Sequence, residues 1–416
     1  MEIIKFTIRV LPALWVIPFF LMSVFAGCDQ PGPNSSVVDK KAHEIPFGYA
    51  DQVKLAEADT TRIPARFKKG YVMLYRRDLP GLLFIVNARG EIVWYHEVDS
   101  AGFKVATYTS RSTILALLAP LSYPTSYGNE ILELSLAGDT LLHLKKEEKG
   151  FDKTIHHEIL YNPSGQLVTL TLEDRPFDLS RVGGSKNDTV RGDGILVMDR
   201  KGNKVWEWSV FDVFDPRKDP HILKDKGDWL HANSLSFDND GNYLLSFYRV
   251  GEIWKIDAHT GKVIWKFGRG RDFQLRSGDW FTESHTVYKV DDDELVLFEN
   301  GIRNNTSRVL TYRLDEFART AILKDKMILP PNLYTERMGS AYSIDDSVEL
   351  VCSAQAGSVV LINRQAGILW RLRTGFIPYR AAFIPGDSIH LPDPDHPSNS
   401  ALLSNPDHLS NPAIKN

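Results

Sequence analysis

The chain has 416 residues, of which 43% are hydrophobic and 11% aromatic, a composition that excludes bulk disorder. Its 49 basic and 53 acidic residues give a formal net charge of −4, whereas a nucleic-acid-binding protein needs a basic excess to neutralise phosphates. Only the first 27 residues resemble a membrane segment, so a protein with several membrane spans is excluded as well.

The start of the chain predicts export. Lys5 and Arg9 precede an apolar run over residues 10–25, the pattern of a secretory signal. The following Phe25-Ala26-Gly27-Cys28 resembles a bacterial lipobox, in which the cysteine is lipidated and becomes the first residue. We therefore expect a lipoprotein signal peptide over residues 1–27 and a lipid anchor on Cys28 at the periplasmic face of the cell envelope. An uncleaved membrane anchor is the alternative.

The rest of the chain divides into three parts. Residues 28–45 are polar and read as a lipid-attached spacer, and residues 391–416 lack periodicity and predict a disordered tail. Between them, over residues 46–390, short runs of Val, Ile, Leu, Tyr and Trp alternate with Gly, Asp and Asn turns, which predicts an all-β domain. A short helix over residues 313–323 is the exception. Cys352 lies in an alternating strand pattern, so we expect a buried thiol.

An internal repeat organises the β-rich part. One element is a hairpin that runs from a glycine to a tryptophan, at Gly90–Trp94, Gly202–Trp206, Gly261–Trp265 and Gly367–Trp370. The other is a preceding strand, and these strands start at Lys104, His157, Asn233, His285, Ser340 and Arg380. Six such units predict a six-bladed β-propeller. Residues 379–385 have little chain after them, so we expect them to supply the inner strand of the first blade and close the ring.

The residues that start the repeats predict an anion site. In a propeller the first strand of each blade lines the central channel, so the six starting residues should ring one end of it. All six are polar or cationic and none is acidic. Cations and neutral donors stabilise negative oxygens, which a purely structural channel does not require.

Two further residues join this ring by local geometry. Asn233 and Arg249 lie symmetrically about Gly241, so a hairpin centred there would bring Arg249 beside Asn233. His231 precedes Asn233 by two residues and shares its rim. A histidine cluster can also bind a metal ion, but this set has no carboxylate partner and Arg249 repels a cation. We therefore predict no metal.

The motifs of one known family occur here in order. They are His157-Glu158 followed by Gly165, then His231-Ala232-Asn233, then Arg249, then Glu283-Ser284-His285. Together they resemble the bacterial arylsulfotransferases, which are exported six-bladed propellers that move sulfuryl groups between phenols without phosphoadenosine phosphosulfate (PAPS). The resemblance covers about residues 70–385 and implies an aryl sulfate donor, a phenolic acceptor and no cofactor.

By position, the resemblance implies that His285 is the nucleophile and forms a transient sulfohistidine. A neutral imidazole is a competent nucleophile at pH 7. His157 or His231 could protonate the leaving phenolate, and Arg249 and Asn233 would hold the equatorial oxygens.

Three more residues are predicted to bind substrate. Ser340 matches a hydroxyl residue of the family's pocket, and Lys104 and Arg380 belong to the ring of repeat starts.

A different class of protein remains open. The stretch His259–Trp265 is similar to the repeats of pyrroloquinoline-quinone propellers and of lipoprotein assembly scaffolds. Those usually have eight blades, whereas six are counted here. The alternative is thus a non-enzymatic propeller lipoprotein that acts as an interaction scaffold. The sequence leaves the oligomeric state open.

Overall fold

The structure is a computed structural model that describes residues 48–123, 126–365 and 367–391. The predicted signal segment, Cys28, all of the spacer and all but the first residue of the predicted tail lie outside these residues. The strands are β1 (Val53–Ala58), β2 (Tyr71–Arg76), β3 (Gly81–Asn87), β4 (Ile92–Val98), β5 (Gly102–Tyr108), β6 (Thr113–Ala119), β7 (Tyr127–Gly128), β8 (Glu130–Ser135), β9 (Thr140–Lys145), β10 (Thr154–Tyr161), β11 (Leu167–Phe177), β12 (Asp188–Met198), β13 (Lys204–Ser209), β14 (Ala232–Phe237), β15 (Tyr243–Phe247), β16 (Glu252–Ile256), β17 (Val263–Gly268), β18 (Ser284–Lys289), β19 (Glu294–Glu299), β20 (Arg308–Asp315), β21 (Thr320–Ile328), β22 (Ser340–Asp345), β23 (Val348–Ser353), β24 (Ser358–Asn363), β25 (Ile368–Thr374) and β26 (Ala381–Ile384).

These strands form six antiparallel sheets, each a blade. Blades 1 to 6 are β26-β2-β3-β4, β5-β6-β8-β9, β10-β11-β12-β13, β14-β15-β16-β17, β18-β19-β20-β21 and β22-β23-β24-β25. The short β7 pairs with the first strand of blade 3, and β1 adds a fifth strand to the outer edge of blade 6. The first strands contact one another in the cyclic order β26, β5, β10, β14, β18, β22. The predicted all-β six-bladed propeller is confirmed.

The ring closes through the C-terminal strand, as the sequence predicts. Strand β26 pairs antiparallel with β2, from Ala381 opposite Leu74 to Ile384 opposite Tyr71. At the other edge of the junction β1 pairs with β25 of blade 6. Both ends of the propeller chain are thereby hydrogen-bonded into sheets, which removes the free edges that a long β chain would otherwise expose.

Blades pack face to face, which explains why many strands are apolar on both faces. Every residue of β6 is buried, as is every residue of β23 and β24. Burial of each Leu or Ile side chain contributes roughly 1.5–3 kcal/mol. Tryptophan side chains link neighbouring blades: the Nε1–H groups of Trp94, Trp208 and Trp370 donate to the carbonyls of Leu136, Gly261 and Ala88 at 2.8–2.9 Å.

Hydroxyl side chains join the inner strands of three successive blades, 4, 5 and 6. The Oγ of Ser234 accepts from the N–H of Val287 at 3.2 Å, and the Oγ1 of Thr286 accepts from the N–H of Ala341 at 3.3 Å. These bonds satisfy backbone donors that face the channel, where no further strand can pair. The spacing of the inner strands, and hence of the residues at their ends, is fixed as a result.

Helices are few and short. The described residues contain α1 (Ala65–Lys69), α2 (Ile222–Asp225) and 3₁₀ turns at Ala50–Gln52, Ser180–Val182, Val210–Asp212, Pro216–Lys218, Lys226–Asp228, Ile302–Asn304 and Pro331–Leu333. The predicted helix over residues 313–323 is wrong. That segment is the turn of the β20–β21 hairpin, where Arg313 pairs with Ile322. The inward faces of Leu314 and Ala321 are buried between blades, and this packing overrides the local helix preference.

No helix among the described residues is long and apolar enough to cross a bilayer. Cys352, in β23, is a free and fully buried cysteine. Burial raises the pKa of its thiol, so the group stays protonated and unreactive, in line with the expectation from its strand pattern.

Candidate active site

The predicted ring residues lie near the starts of the inner strands, several of them on irregularities. The pairing of β5 with β6 skips Lys104, that of β14 with β15 skips Asn233, and that of β18 with β19 skips His285. In β10, His157 lies inside a two-residue irregularity and has a φ of +56°. A bulge takes a side chain out of the alternation of its strand. The sequence repeat therefore marks the places where the inner strands re-aim side chains.

Three histidines from three blades line one cavity of about 440 Å³ at the end of the channel. The ring centroids of His157 and His231 are 5.1 Å apart. Tyr248 lies between His231 and His285, and its ring centroid is 5.7 Å from that of His231 and 5.0 Å from that of His285. Tyr379 completes this wall, 6.1 Å from His157. The structure thus brings together the three histidines that the sequence singled out.

The mouth of the cavity combines apolar and charged groups. Ile302 and Ile377 line it and are 36% and 50% exposed. Glu336 and Arg337 line it from the loop before β22. Exposed apolar side chains beside a histidine-rich floor suit a small ligand with one apolar and one polar end.

The ring of His285 is held by Asn300. The Nδ1 of His285 hydrogen-bonds to the Oδ1 of Asn300. The Nδ2 of Asn300 donates to the carbonyls of Thr335 at 2.9 Å and of Met338 at 2.8 Å. Because both amide protons go to carbonyls, Oδ1 faces the imidazole as an acceptor and Nδ1 carries the proton. The lone pair of His285 is therefore on Nε2, which accepts from the N–H of Met338 at 3.1 Å.

The imidazole of His285 is neutral over the whole physiological range. Burial lowers its pKa from 6.5 to about 3, against the opposing effect of the Asn300 hydrogen bond. A protonated His231 and the positive charges of Arg380 and Arg77 lower the pKa further. A neutral ring with a bare Nε2 is a nucleophile without prior deprotonation.

His231 has a carboxylate partner that the sequence analysis missed. Its Nδ1 lies 2.9 Å from the Oδ2 of Asp228, and the Nη2 of Arg249 donates to the same oxygen at 2.9 Å. Burial opposes ionisation of Asp228, but His231 and Arg249 outweigh it and lower the pKa of this carboxyl to about 2. An ionised carboxylate only accepts, so Nδ1 of His231 carries its proton and Nε2 is free to take or give another.

His157 contacts a second histidine, His156, which in turn lies beside a buried acid. Its Nδ1 is 2.7 Å from the Nδ1 of His156, so one of these two nitrogens donates and the other accepts. The Nε2 of His156 is 3.6 Å from the Oδ1 of Asp193. Burial lowers the pKa of both histidines, to about 3 for His156, and raises that of Asp193 to about 7. His156 therefore positions His157.

The predicted juxtaposition of Arg249 and Asn233 is wrong. The β14–β15 hairpin is centred on Asp240 rather than Gly241, because Phe237 pairs with Tyr243. The bulge at Asn233 then shifts the register again, and the N–H of Arg249 pairs with the carbonyl of Leu230. Tyr248, not Arg249, faces the cavity at this level.

Asn233, Ser340, Arg380 and Lys104 lie beneath or beside the cavity rather than in its lining. Asn233 is fully buried, with no hydrogen-bond partner for its side-chain amide among the described residues. The Oγ of Ser340 bonds to the backbone of Ala381 at 3.1 and 3.2 Å, joining blades 6 and 1. Lys104 is buried.

Arg380 lies on the axis of the channel. It donates to Glu158 at 2.5 Å and to the carbonyls of Asn233 at 2.6 Å and His285 at 3.2 Å. It thus ties the backbones of blades 4 and 5 to an acid of blade 3. It also lines a second cavity of about 390 Å³, on its other side.

The residues that sequence reasoning missed left partial signals. Asp228 stands three residues before His231, close enough for a side-chain pair. Asn300 directly follows β19, and the last residue of β19 pairs with Ser284, the neighbour of His285. The symmetry of the β18–β19 hairpin therefore predicts that Asn300 lies beside His285. Arg77 lines the cavity and follows β2, which lies outside the repeat motifs, and the sequence carries no signal for it.

Across residues 48–123, 126–365 and 367–391, no group of three or more His, Cys, Asp or Glu side chains is placed to hold a metal ion. The Nδ1 atoms of all three cavity histidines already hydrogen-bond to Asn300, Asp228 or His156.

The comparison with protein families decides the identity. The family model described as Arylsulfotransferase (ASST) matches residues 59–369, which contain every residue of the histidine cluster. The chain belongs to the arylsulfotransferase family. The resemblance of its motifs to this family is thereby confirmed, and membership implies an arylsulfotransferase that uses an aryl sulfate donor and a phenolic acceptor. No curated protein matches the sequence significantly.

The chain is also similar, at low sequence identity, to several solved structures. A protein of unknown function from Bacteroides caccae is 12% identical, with 76% of this chain and 98% of that chain covered and a TM-score of 0.47. The periplasmic gluconolactonase PpgL of Pseudomonas aeruginosa is 9% identical, with 78% and 99% covered and a TM-score of 0.46. The β-propeller domain of Myceliophteria thermophila Cps50 (Swd1) is 12% identical, with 78% and 89% covered and a TM-score of 0.43.

Proposed function

We propose that the protein is a PAPS-independent aryl-sulfate sulfotransferase in which His285 carries the sulfuryl group as a sulfohistidine. One observation carries the proposal: the Nε2 lone pair of a neutral His285, fixed by Asn300, lies in a cavity that two further histidines share. Nucleophile, proton donor and apolar mouth are then in one place, as group transfer between two phenols requires.

In the first step the Nε2 lone pair of His285 attacks the sulfur of the donor. The N–S bond forms, the bond between sulfur and the phenolic oxygen breaks, and that oxygen leaves with the electron pair. His231 or His157 gives the oxygen a proton, so a neutral phenol departs. The sulfonated ring keeps its Nδ1 proton and becomes cationic, and the Oδ1 of Asn300 stabilises it as hydrogen-bond acceptor.

In the second step the same base takes the hydroxyl proton of the acceptor phenol. The acceptor oxygen attacks sulfur, the N–S bond breaks, and its electrons return to Nε2. Atoms and charge balance without an outside reagent, and the two products leave in sequence, which predicts ping-pong kinetics. At rest Nε2 accepts from the N–H of Met338, so the donor must displace this contact. The freed N–H can then bind a sulfuryl oxygen.

The test is sulfuryl transfer from 4-nitrophenyl sulfate to phenol, followed by nitrophenolate release. We expect activity in the wild type, none in His285→Asn, and wild-type activity in His259→Asn, a matched change at an exposed histidine of the β16–β17 turn. A sulfonated peptide containing His285 should be trapped from wild-type protein given donor alone. Equal release by His285→Asn would overturn the proposal, no release by any variant would favour the scaffold, and loss on chelation would favour a metalloenzyme.

We further propose that Cys28 carries lipid and holds the propeller on the periplasmic side of the cell envelope. The support is the Phe25–Cys28 sequence after an apolar run. Cys28→Ser should release the protein from the membrane fraction. Membrane retention of this variant would favour the uncleaved anchor instead.

A further inference from the structure

The loops at the cavity end of the channel expose apolar side chains. Ile302 and Ile377 line the mouth of the cavity, and Leu79 and Val250 are within two residues of other residues of its lining. All four side chains are exposed. They belong to four different loops, which are spread around the ring of blades.

The apolar surface continues over blades 2 and 3. Leu121 follows β6, Val182 lies between β11 and β12, and Val213 and Leu223 lie in the connection from β13 to β14, and all four are exposed. These loops are at the cavity end because β6, β11 and β13 are the second or fourth strands of their blades, which run toward the end where the inner strands begin. The eight side chains are called the cavity-end surface below.

The opposite end of the propeller is less apolar. Within the described part of the chain, Val290 and Phe317 are the exposed large apolar side chains at its turns. The other exposed ones, such as Val205 and Ile264, lie on the outer strands of the blades. An apolar surface concentrated on one end of a protein marks a site of contact with another protein or with a membrane.

The chain enters the propeller at the same end. Gln52 directly precedes β1, and its carbonyl accepts from the N–H of Gly375 at 2.9 Å. Ile377 of the cavity mouth lies two residues after Gly375. Cys28 stands twenty residues before Gly48, the first described residue. A membrane attachment at or before Cys28 therefore connects to the propeller at the cavity end, whereas the last strand, β26, runs toward the opposite end.

The arrangement of the cavity-end surface favours a membrane over a protein partner. Its side chains stand on separate loops around the cavity mouth, one or two to a loop, rather than along one groove that a helix or strand would fill. Loops that each carry one or two apolar side chains can enter the headgroup region of a bilayer together. The attachment of the chain at this end holds the same surface near the membrane.

We propose that the cavity-end surface lies against the membrane that anchors the chain, and that the cavity exchanges phenols and aryl sulfates carrying an apolar tail with that bilayer. This inference rests on the sulfotransferase function and the membrane anchor proposed above, and it adds the class of substrate. In this arrangement the tail stays beside Ile302 and Ile377 at the boundary with the lipid, while the phenolic oxygen reaches the histidines.

The first experiment locates the membrane-facing surface without turnover. The chain has two cysteines, Cys28 and the fully buried Cys352, so a cysteine introduced into a loop can be labelled against a wild-type control. Full-length Ile302→Cys, Leu121→Cys and Phe317→Cys are labelled with the fluorophore NBD and reconstituted in vesicles of equal parts phosphatidylcholine and phosphatidylglycerol. The labels at 302 and 121 should emit at shorter wavelength and be quenched by spin-labelled lipid. The label at 317, at the opposite end, should show neither effect.

The second experiment compares two acceptors, phenol in solution and 4-dodecylphenol in the same vesicles, with 4-nitrophenyl sulfate as donor. The double variant Leu121→Ser/Val182→Ser changes the cavity-end surface outside the cavity lining. It should lower transfer to dodecylphenol by about three- to tenfold, because less apolar surface enters the bilayer. Transfer to phenol should stay within about twofold of the wild type. The matched variant Val290→Ser/Phe317→Ser, at the opposite end, should change neither rate.

The outcomes separate this inference from the function on which it rests. Labels at 302 and 121 that stay in water would overturn the inference. Protection of both labels without quenching by lipid would overturn it as well, because a second copy of the chain would then cover the loops. Equal transfer to dodecylphenol by the two double variants would also count against it. Labels that lipid quenches, in a protein that transfers to neither acceptor, would overturn only the proposed function.

Discussion

His285 and Asn300 form a pair in which the amide determines the tautomer of the imidazole. Both N–H groups of Asn300 go to the carbonyls of Thr335 and Met338, so its oxygen can only face the imidazole. The proton of His285 is thereby kept on Nδ1 and the lone pair on Nε2. A nucleophile that attacks without first being deprotonated needs this arrangement, since a ring with the other tautomer would offer an N–H to sulfur instead of a lone pair.

The first prediction concerns the loss of the Asn300 side chain that fixes the tautomer of His285. Asn300→Leu should lower kcat/KM for 4-nitrophenyl sulfate by about 10- to 100-fold, the usual effect of losing a partner that orients a reactive histidine. Asn300→Asp keeps an acceptor oxygen but not the amide donors, so it should retain more activity than Asn300→Leu. Nitrogen NMR of the ring should report a mixture of tautomers in Asn300→Leu. A folded Asn300→Leu protein with wild-type kinetics would show that the tautomer needs no fixing.

The sequence predicts the propeller well because its repeat consists of apolar strands separated by turn residues. The starts at Lys104, Asn233 and His285 are the places where the inner strands bulge, and the closing strand near Ala381 pairs as expected. A bulge adds one residue without disturbing the alternation on either side. The repeat therefore reveals which residues are equivalent, and hence that the histidines meet.

The partners of these residues are harder to predict. A one-residue register shift at Asn233 leaves the hydrophobic pattern of β14 and β15 unchanged, yet it replaces Arg249 by Tyr248 at the cavity. Arg77 comes from a blade far away in sequence, and its place depends on how the ring closes. Such contacts arise from tertiary packing, which local patterns do not encode.

The second prediction concerns acid. Burial lowers the pKa of His156 and His285 to about 3, and that of His157 as well, whereas in the unfolded chain each titrates near 6.5. Between about pH 3 and 6.5 the unfolded state therefore binds more protons, and the free energy of unfolding should fall as the pH is lowered through this range. Each histidine contributes at most about 1.4 kcal/mol per pH unit.

Urea unfolding at several pH values measures this slope. His285→Asn, which cannot titrate, should show a shallower decline than wild type, and His259→Asn should not. Where protonation of His285 controls the rate, kcat/KM for 4-nitrophenyl sulfate should stay constant as the pH falls to well below 6.5, because His285 stays unprotonated there. An identical slope in His285→Asn and wild type would show that His285 is not buried in its neutral form.

The third prediction assigns the proton donor to His231. Asp228 accepts from the Nδ1–H of His231, and its negative charge stabilises the imidazolium form, whose Nε2–H can protonate the leaving phenolate. Phenolate is a poorer leaving group than 4-nitrophenolate, so its departure depends more strongly on protonation. His231→Ala should therefore lower kcat/KM for phenyl sulfate by about 100-fold or more, but that for 4-nitrophenyl sulfate by much less. Asp228→Ala should show the same selectivity to a smaller degree. Equal losses with both donors would exclude His231 as the acid and leave His157.

The last prediction concerns the ion pair beneath the cavity. Arg380 and Glu158 are 6% and 9% exposed and 2.5 Å apart, and Arg380 also holds the carbonyls of Asn233 and His285. Burial raises the pKa of Glu158 against the effect of Arg380, so the pair is bound at a desolvation cost. Glu158→Gln leaves an unpaired buried cation and should destabilise the fold by about 3–5 kcal/mol. The double variant Glu158→Gln/Arg380→Met removes that charge and should cost less than the sum of the two single changes, in denaturant unfolding. Additive losses would mean that the two side chains act independently, and that Arg380 stabilises the channel through its backbone contacts alone.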